Sequence, residues 1–484
     1  MAAGAGWMVS LRLADRGIGV VSLAILARLL LPEDFGLIAL AVSFIALVEM
    51  FGQFGVEVAL IQNQQAERRH YDSAWTINLI TALVVSGLLA LLAARAASFF
   101  AEPRVEPIIY WLALANMIRA FENIGVVDFR KRLEFHKEFG YLFSARVMST
   151  LVTLFFAFYW REYWALVAGS LTQAVIRMGL SYFVHPYRPR ISCTGLRDIF
   201  HFSKWMLVQN VMHGLNERAS ALVIGRMSSA EALAHYSVAY EISNLATTEL
   251  AAPIRRAILP GFAKMASDIA TLREGFIRTV AVIVLIGLPV PIGIALTAPW
   301  IVAVLLGSNW LAAVPLIQVL ALHGVLRTLG TSSNVVYLAV GKPRITAILS
   351  AVRLLVLVPL LVYGTSEAGA MGAAWAMVIT GALLWSVDVA ILFRVLKFDA
   401  GALFGAIWRP IVAVLVMSVV VYCFQSSLPK PASLPASALY LAAIVGLGAA
   451  TYMSASVILW LACRSPQGAE SMIYGMLRRT RAFR

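Results

Sequence analysis

An all-α polytopic membrane protein is the fold class the sequence predicts, and three observations predict it. The 484 residues are 61% hydrophobic and only 13% charged, whereas a soluble domain has about a quarter of its residues charged. The apolar stretches run for about 20 residues, the length that crosses the hydrocarbon core. They lack the period-2 alternation of barrel strands, which leaves helices as the spans that satisfy their own backbone in lipid. Basic residues also concentrate in alternate links between those stretches, the bias expected of cytoplasmic loops.

About fourteen transmembrane helices are expected, at 8–31, 36–61, 74–100, 107–127, 140–160, 164–184, 205–226, 231–256, 276–298, 312–340, 345–363, 369–395, 403–424 and 436–462. The first two fold back on each other from Trp7 to Ile61 through the acidic link Leu31-Pro32-Glu33-Asp34-Phe35-Gly36. No cleavable signal peptide is expected, because the first apolar run follows Met1–Gly6 without a basic region and continues as a full span. The links are short, with no room for an extramembrane domain. Cys193, Cys423 and Cys463 share no metal or disulfide spacing and read as small hydrophobes.

Charge orients the chain with both termini cytoplasmic. The inner links then hold Arg68 and Arg69, the cluster Arg130, Lys131, Arg132 and Lys137, and Arg188, Arg190, Arg197 and Lys204. Further on they hold Arg255, Arg256, Lys264 and Arg273, then Lys342 and Arg344, then Arg394, Lys397 and Arg409. The outer links hold little beyond Arg104, Arg161 and Lys430 and tend to be acidic, with Glu33, Asp34, Glu102, Glu106, Glu231 and Glu367. The net charge of +14, which in a soluble domain would suggest nucleic acid, is assigned to these loops, and no nucleic-acid partner is expected.

A weak repeat divides the chain. Arg28 aligns with Arg226 and Glu33 with Glu231 at a constant offset, in each case in the first hairpin of a six-span block. Two pseudo-symmetric six-helix lobes are therefore expected over 1–200 and 201–400, followed by an extra helix pair over 401–463 and a basic cytoplasmic tail over 464–484. An even number of spans per lobe makes the repeats parallel, and transporters hold substrate between such lobes.

Several spans carry polar groups that lipid disfavours by a few kcal/mol or more. In span 1, Arg12, Asp15 and Arg16 share a face. Span 2 carries a ladder of Glu49, Gln53 and Glu57, and span 4 carries Asn116, Arg119 and Asn123 with Glu122 adjoining. Span 7 carries Asn210, His213 and Glu217, flanked by Asn216 and Arg218, and span 10 carries His323, Arg327 and Asn334. Arg146, Arg177, Arg353, Asp388, Glu241 and Glu249 sit in other spans. Plainer readings exist for some. Arg12, Arg146 and Arg177 lie near span ends, where long side chains reach the headgroups. Arg119 with Glu122, or Glu217 with Arg218, would serve as packing ion pairs. His323 alone reads as a hydrogen-bonded packing residue.

Taken together, cations outnumber anions on these faces. Guanidinium groups hold phosphate oxygens in pairs, and Asn116, Asn210, Asn216, Thr331, Ser332 and Asn334 suit sugar hydroxyls. A water-accessible chamber for an anionic ligand is the expectation. Pro289 and Pro291 within span 9 favour bending.

The stretch Leu29-Leu30-Leu31-Pro32-Glu33-Asp34-Phe35-Gly36-Leu37, with the alanine-rich helix after it and Phe54-Gly55, resembles the polysaccharide-exporter branch of the multidrug/oligosaccharidyl-lipid/polysaccharide superfamily, to which Wzx-type flippases belong. The resemblance implies a fourteen-helix transporter of two lobes that moves undecaprenyl-pyrophosphate-linked oligosaccharide to the outer leaflet of the bacterial inner membrane by alternating access. It also implies a cationic cavity for pyrophosphate and sugars. Spans 13 and 14, read as free of intramembrane charge, would help form a groove for the polyprenyl chain. A polysaccharide polymerase and glycosyltransferases are the protein partners compatible with that role.

The expected substrate-binding residues are Arg12, Arg16, Arg119, Asn210, Arg327 and Arg353. Asp15, Glu49, His213 and Glu217 are expected to tune them or to take up a coupling proton or Na+. No catalytic residue, metal or cofactor is expected. A drug/cation antiporter of the same superfamily is the alternative, disfavoured because such a cavity would be rich in carboxylates. A membrane polysaccharide polymerase or ligase is less favoured still, because the outer links are short and poor in titratable residues.

Overall fold

The structure, a computed structural model, describes all residues except 1, 53–54, 193, 195, 266–267, 331–332, 398, 430, 432, 464–469 and 472–484. The side chains of 2–5, 8–9, 196–209, 245–260, 263–264, 343 and 400 are also left undescribed. No strand occurs among the described residues. Eight of the described helical segments are long and apolar enough to cross a membrane. The longest, 344–396, holds two expected spans. It turns back at Ala368 and Gly369 (φ 54°), where Gly364 and Gly372 let the two arms meet backbone to backbone. The chain separates into two compact units, Met1–Ala234 and His235–Arg484.

The first unit contains α1 (Ala2–Leu29), α2 (Pro32–Glu49), α3 (Val56–Gln62), α4 (Arg68–Phe100) and α5 (Val105–Ala120). It continues with α6 (Val127–Lys131), α7 (Phe135–Trp160), α8 (Trp164–Val184), α9 (Leu196–Met227) and the first turn of α10 (Ala230–Met265). Pro32 opens α2 with a preset φ, and the Asp34 carboxylate accepts from the Leu31 N–H at 2.9 Å, closing the first turn. Lipid tails are as apolar as leucine, so close packing rather than hydrophobicity draws these helices together. Small residues provide it: Ala82, Ala93 and Ala96 are buried on α4, and Gly169 of α8 receives Thr153 of α7. Ser86 of α4 also donates to the Ala113 carbonyl of α5 at 3.0 Å. Helix α9, expected to open the second lobe, packs here on α2, α3 and α4, with Gly214 against Met50 and Gly225 against Leu40 and Phe100.

The second unit holds the rest of α10, then α11 (Ile269–Gly287), α12 (Pro289–Ile301), α13 (Ala313–Leu329), α14 (Ser333–Ala339), α15 (Pro343–Leu396), α16 (Ala400–Ser427) and α17 (Leu434–Ala462). Asp268 caps α11 by accepting from the Ala270 N–H at 3.0 Å. One apolar cluster, including Phe276, Val284, Tyr337, Leu392, Met417 and Ile444, ties α11, α14, α15, α16 and α17 together. Inside it, the fully buried Tyr337 donates to the Asp388 carboxylate at 2.7 Å, so neither polar group is left unmet in the core.

Candidate functional site

In the first unit the expected ladder of Glu49, Gln53 and Glu57 is not one helix face. Helix α2 stops at Glu49, and α3 restarts after Gly55, whose φ of 64° suits a residue without Cβ. Gln53 lies outside the described residues. Glu49 accepts from Arg119 at 3.1 Å, Arg119 also donates to Asn116 at 3.0 Å, and Asn116 reaches Ser86 at 3.3 Å. These residues form one polar chain across α2, α5 and α4. Glu57 instead meets Arg130 at 3.1 Å, and Arg130 also binds Glu138.

Arg119 and Glu122, read as an internal pair, do not pair with each other. Helix α5 ends at Ala120, so Glu122 leaves the helix and turns toward α7 and α8. There it accepts from Arg177 at 3.0 Å and from the buried Tyr141 hydroxyl. Arg177 is thus held in a network rather than reaching for headgroups. Asn123, expected on the same face as Arg119, is fully buried. Its amide donates to the Tyr187 carbonyl at 2.6 Å and the His185 carbonyl at 3.3 Å, and its oxygen accepts from Gly125 N–H at 2.9 Å. It fastens the segment after α8 to the end of α5.

On α1, Asp15 is exposed and pairs with Arg146 of α7 at 3.2 Å, so Arg146 too has a protein partner. Arg12 and Arg16 are half-buried. On α9, Asn210 and Glu217 are half-buried and His213 is exposed. Asn216 is buried and donates to the Met212 carbonyl one turn back at 2.9 Å.

In the second unit Arg327 of α13 donates to the Tyr240 hydroxyl at 3.2 Å and the Asn244 side-chain oxygen at 3.4 Å, both on α10. His323 is buried one turn earlier on α13, within electrostatic reach of both Arg327 and the half-buried Arg353 of α15. Asn334, expected on the face of His323 and Arg327, is exposed on α14, because α13 ends at Leu329 and breaks the face. Thr331 and Ser332 lie outside the described residues, as does the side chain of Glu249. Tyr240 and Asn244 were not singled out from sequence, although polar residues four apart in an apolar helix were a usable signal.

Arg409, expected in an inner link, lies within a helix. Helix α16 begins at Ala400, which places Arg409 inside the helix, where it is only 6% exposed. Its guanidinium lies 2.9 Å from the Glu470 carboxylate, the partner that such a buried charge requires.

The motif that carried the resemblance is a structural knot in the first unit. Asp34 accepts from the Tyr163 N–H at 3.2 Å, which ties the first hairpin to the link between α7 and α8. Glu33 pairs with Arg104, which also holds Glu102 at 2.8 Å. Gly36 lies directly against the backbone carbonyl of Ala230. Arg226, aligned with Arg28 in the repeat, donates to the Phe99 carbonyl at 2.8 Å with its guanidinium 5.4 Å from the Phe99 ring centroid.

Comparison with known proteins agrees with this architecture. The chain is 26% identical over 374 residues to the lipopolysaccharide biosynthesis protein WzxC of Escherichia coli K12, covering 76% of each chain. It is 23% identical over 424 residues to the succinoglycan biosynthesis transport protein ExoT of Rhizobium meliloti 1021, covering 86% of this chain and 85% of that one. Its fold matches the inward closed structure of the lipid II flippase MurJ with a TM-score of 0.75, at 12% identity, over 94% of this chain and 99% of that one. The model of the family described as "Polysaccharide biosynthesis protein" matches residues 25–315, more than half of the chain. This multi-pass helical membrane protein belongs to the polysaccharide biosynthesis protein family.

Proposed function

We propose that the protein is a flippase that moves undecaprenyl-pyrophosphate-linked oligosaccharide repeat units across the bacterial inner membrane, with both termini cytoplasmic, to supply surface polysaccharide. Family membership supports the polysaccharide assignment, and similarity to the transport protein ExoT supports transport. The observation that carries the reading physically is Arg327. It is a permanently charged group in a helix apolar enough to cross a membrane, and it is held by a phenol and an amide one turn from the buried His323. A guanidinium presents paired N–H donors that match the oxygens of a phosphate-bearing ligand. In this reading Arg12, Arg16, Arg119, Asn210, Arg327 and Arg353 contact the headgroup during the cycle. Asp15, Glu49, His213 and Glu217 tune that surface or take up the coupling ion. The Glu49–Arg119 and Asp15–Arg146 pairs fit tuning, since each carboxylate already offsets a guanidinium.

The test is deletion of the gene followed by analysis of lipid-linked glycans. Loss of surface polysaccharide with accumulation of a complete repeat unit on the cytoplasmic leaflet is the expected result. Normal surface polysaccharide without accumulation refutes the assignment.

A further inference from the structure

Helix α17 supplies a hydrogen bond to the backbone of a helix interrupted by proline. Pro289 has no N–H, so the carbonyl of Leu285, four residues earlier, lacks its regular i+4 donor. At membrane depth such a carbonyl has no water to turn to. The structure fills the vacancy from another helix. Tyr452 of α17, only 8% exposed, donates its hydroxyl to the Leu285 carbonyl at 2.6 Å. Gln425 of α16 also reaches this segment, donating to the Leu296 carbonyl at 3.2 Å.

The placement of Tyr452 follows from the pattern of α17. Ile444, Gly448, Tyr452 and Ser456 are buried at four-residue spacing, which turns one stripe of the helix into the unit. Gly448 sits against Val421 and Met417 of α16, so the helix approaches closely enough for the phenol to reach α11. The joint itself is local: α11 ends at Gly287, Leu288 is shared, and α12 starts at Pro289.

We propose that Tyr452 is a positioning residue for the transport cycle, a side-chain donor that holds the Leu285–Pro289 joint and through which α17 takes part in the movement of α11 and α12. The functional half of the proposal rests on the transport reading above; the hydrogen-bond half does not.

A double-mutant cycle on the full-length protein tests both halves. P289A restores the missing N–H, so Leu285 no longer needs the phenol. Tyr452→Phe should lower the melting temperature of the purified protein by about 2–8 °C in the wild-type background and by less than about 1 °C in the P289A background. Export per folded molecule, with folded protein counted by gel filtration, should fall about threefold or more with Y452F alone. In the double variant it should return to the P289A level. Equal losses of stability in both backgrounds overturn the proposal, since Tyr452 would then act through packing of its ring. Coupling in melting temperature with unchanged export per folded molecule overturns the positioning role. The melting cycle is independent of transport, so its failure counts against Tyr452 alone, whereas normal surface polysaccharide after gene deletion counts against the transport reading.

Discussion

Gly36 is the residue of the first hairpin whose replacement the structure judges most severely. A Cβ built on it falls on the Ala230 backbone, inside contact distance of the carbonyl and 3.0 Å from the Ala230 Cα. Both sides of that contact are backbone, so no side chain can rotate away. Gly36→Ala must push the start of α2 off the α9–α10 link. Overpacking of this kind costs about 1–3 kcal/mol, and the opened gap forfeits dispersion along the Gly225–Leu40 contact beside it. Against this stands the helix-propensity gain of Ala over Gly, about 1 kcal/mol. The net loss is up to about 2 kcal/mol, or up to roughly 8 °C in melting temperature for a unit of this size. Gly87 is the internal control. It lies exposed in the middle of α4 with nothing within 4 Å of a built Cβ, so Gly87→Ala should leave the melting temperature unchanged or raise it by about 2–4 °C. Thermal unfolding of both variants in the same detergent decides. A G36A protein that melts at or above wild type refutes the contact as the reason for glycine in this motif.

Two further outcomes follow from the first unit. Asn123→Ala strips donors from two carbonyls and the acceptor from Gly125 N–H, and should lower stability by about 2–4 kcal/mol, read as a melting-temperature drop that Asn116→Ala at the half-buried end of its polar chain does not match. His185, in the link after α8, has its pKa pushed down by burial, with Arg132, Lys137 and Arg188 adding to the effect and Asp128 opposing it. The unfolded chain therefore binds the imidazole proton at a higher pH than the folded one. Stability tied to neutral His185 is present above the ordinary imidazole value and is lost as pH falls below it. Melting temperatures measured between about pH 7.5 and 5.5 should fall for wild type and fall less for H185Q.

Much of the architecture was legible because lipid imposes strong rules. Runs of about 20 apolar residues and the charge bias of their links located the helices, and Pro32 with Asp34 marked the start of α2. The breaks were harder to read. Gly55 sits in an apolar run where a membrane helix tolerates glycine, so the end of α2 near Glu49 was invisible to pattern. The Arg119–Glu122 pairing failed for a related reason: spacing of three predicts contact only if the helix continues, and α5 ends at Ala120. Partners from distant helices, such as Tyr240 and Asn244 for Arg327 or Glu470 for Arg409, follow from tertiary packing that no local spacing encodes.

The most direct test of the central claim is glycan export by Arg327→Gln and Arg16→Gln variants, alone and combined, at matched levels of folded protein. Losing one charge-assisted contact to a phosphate-bearing headgroup should reduce export about tenfold or more for each. Wild-type export in both single variants would contradict the assignment of these guanidinium groups to the transported headgroup.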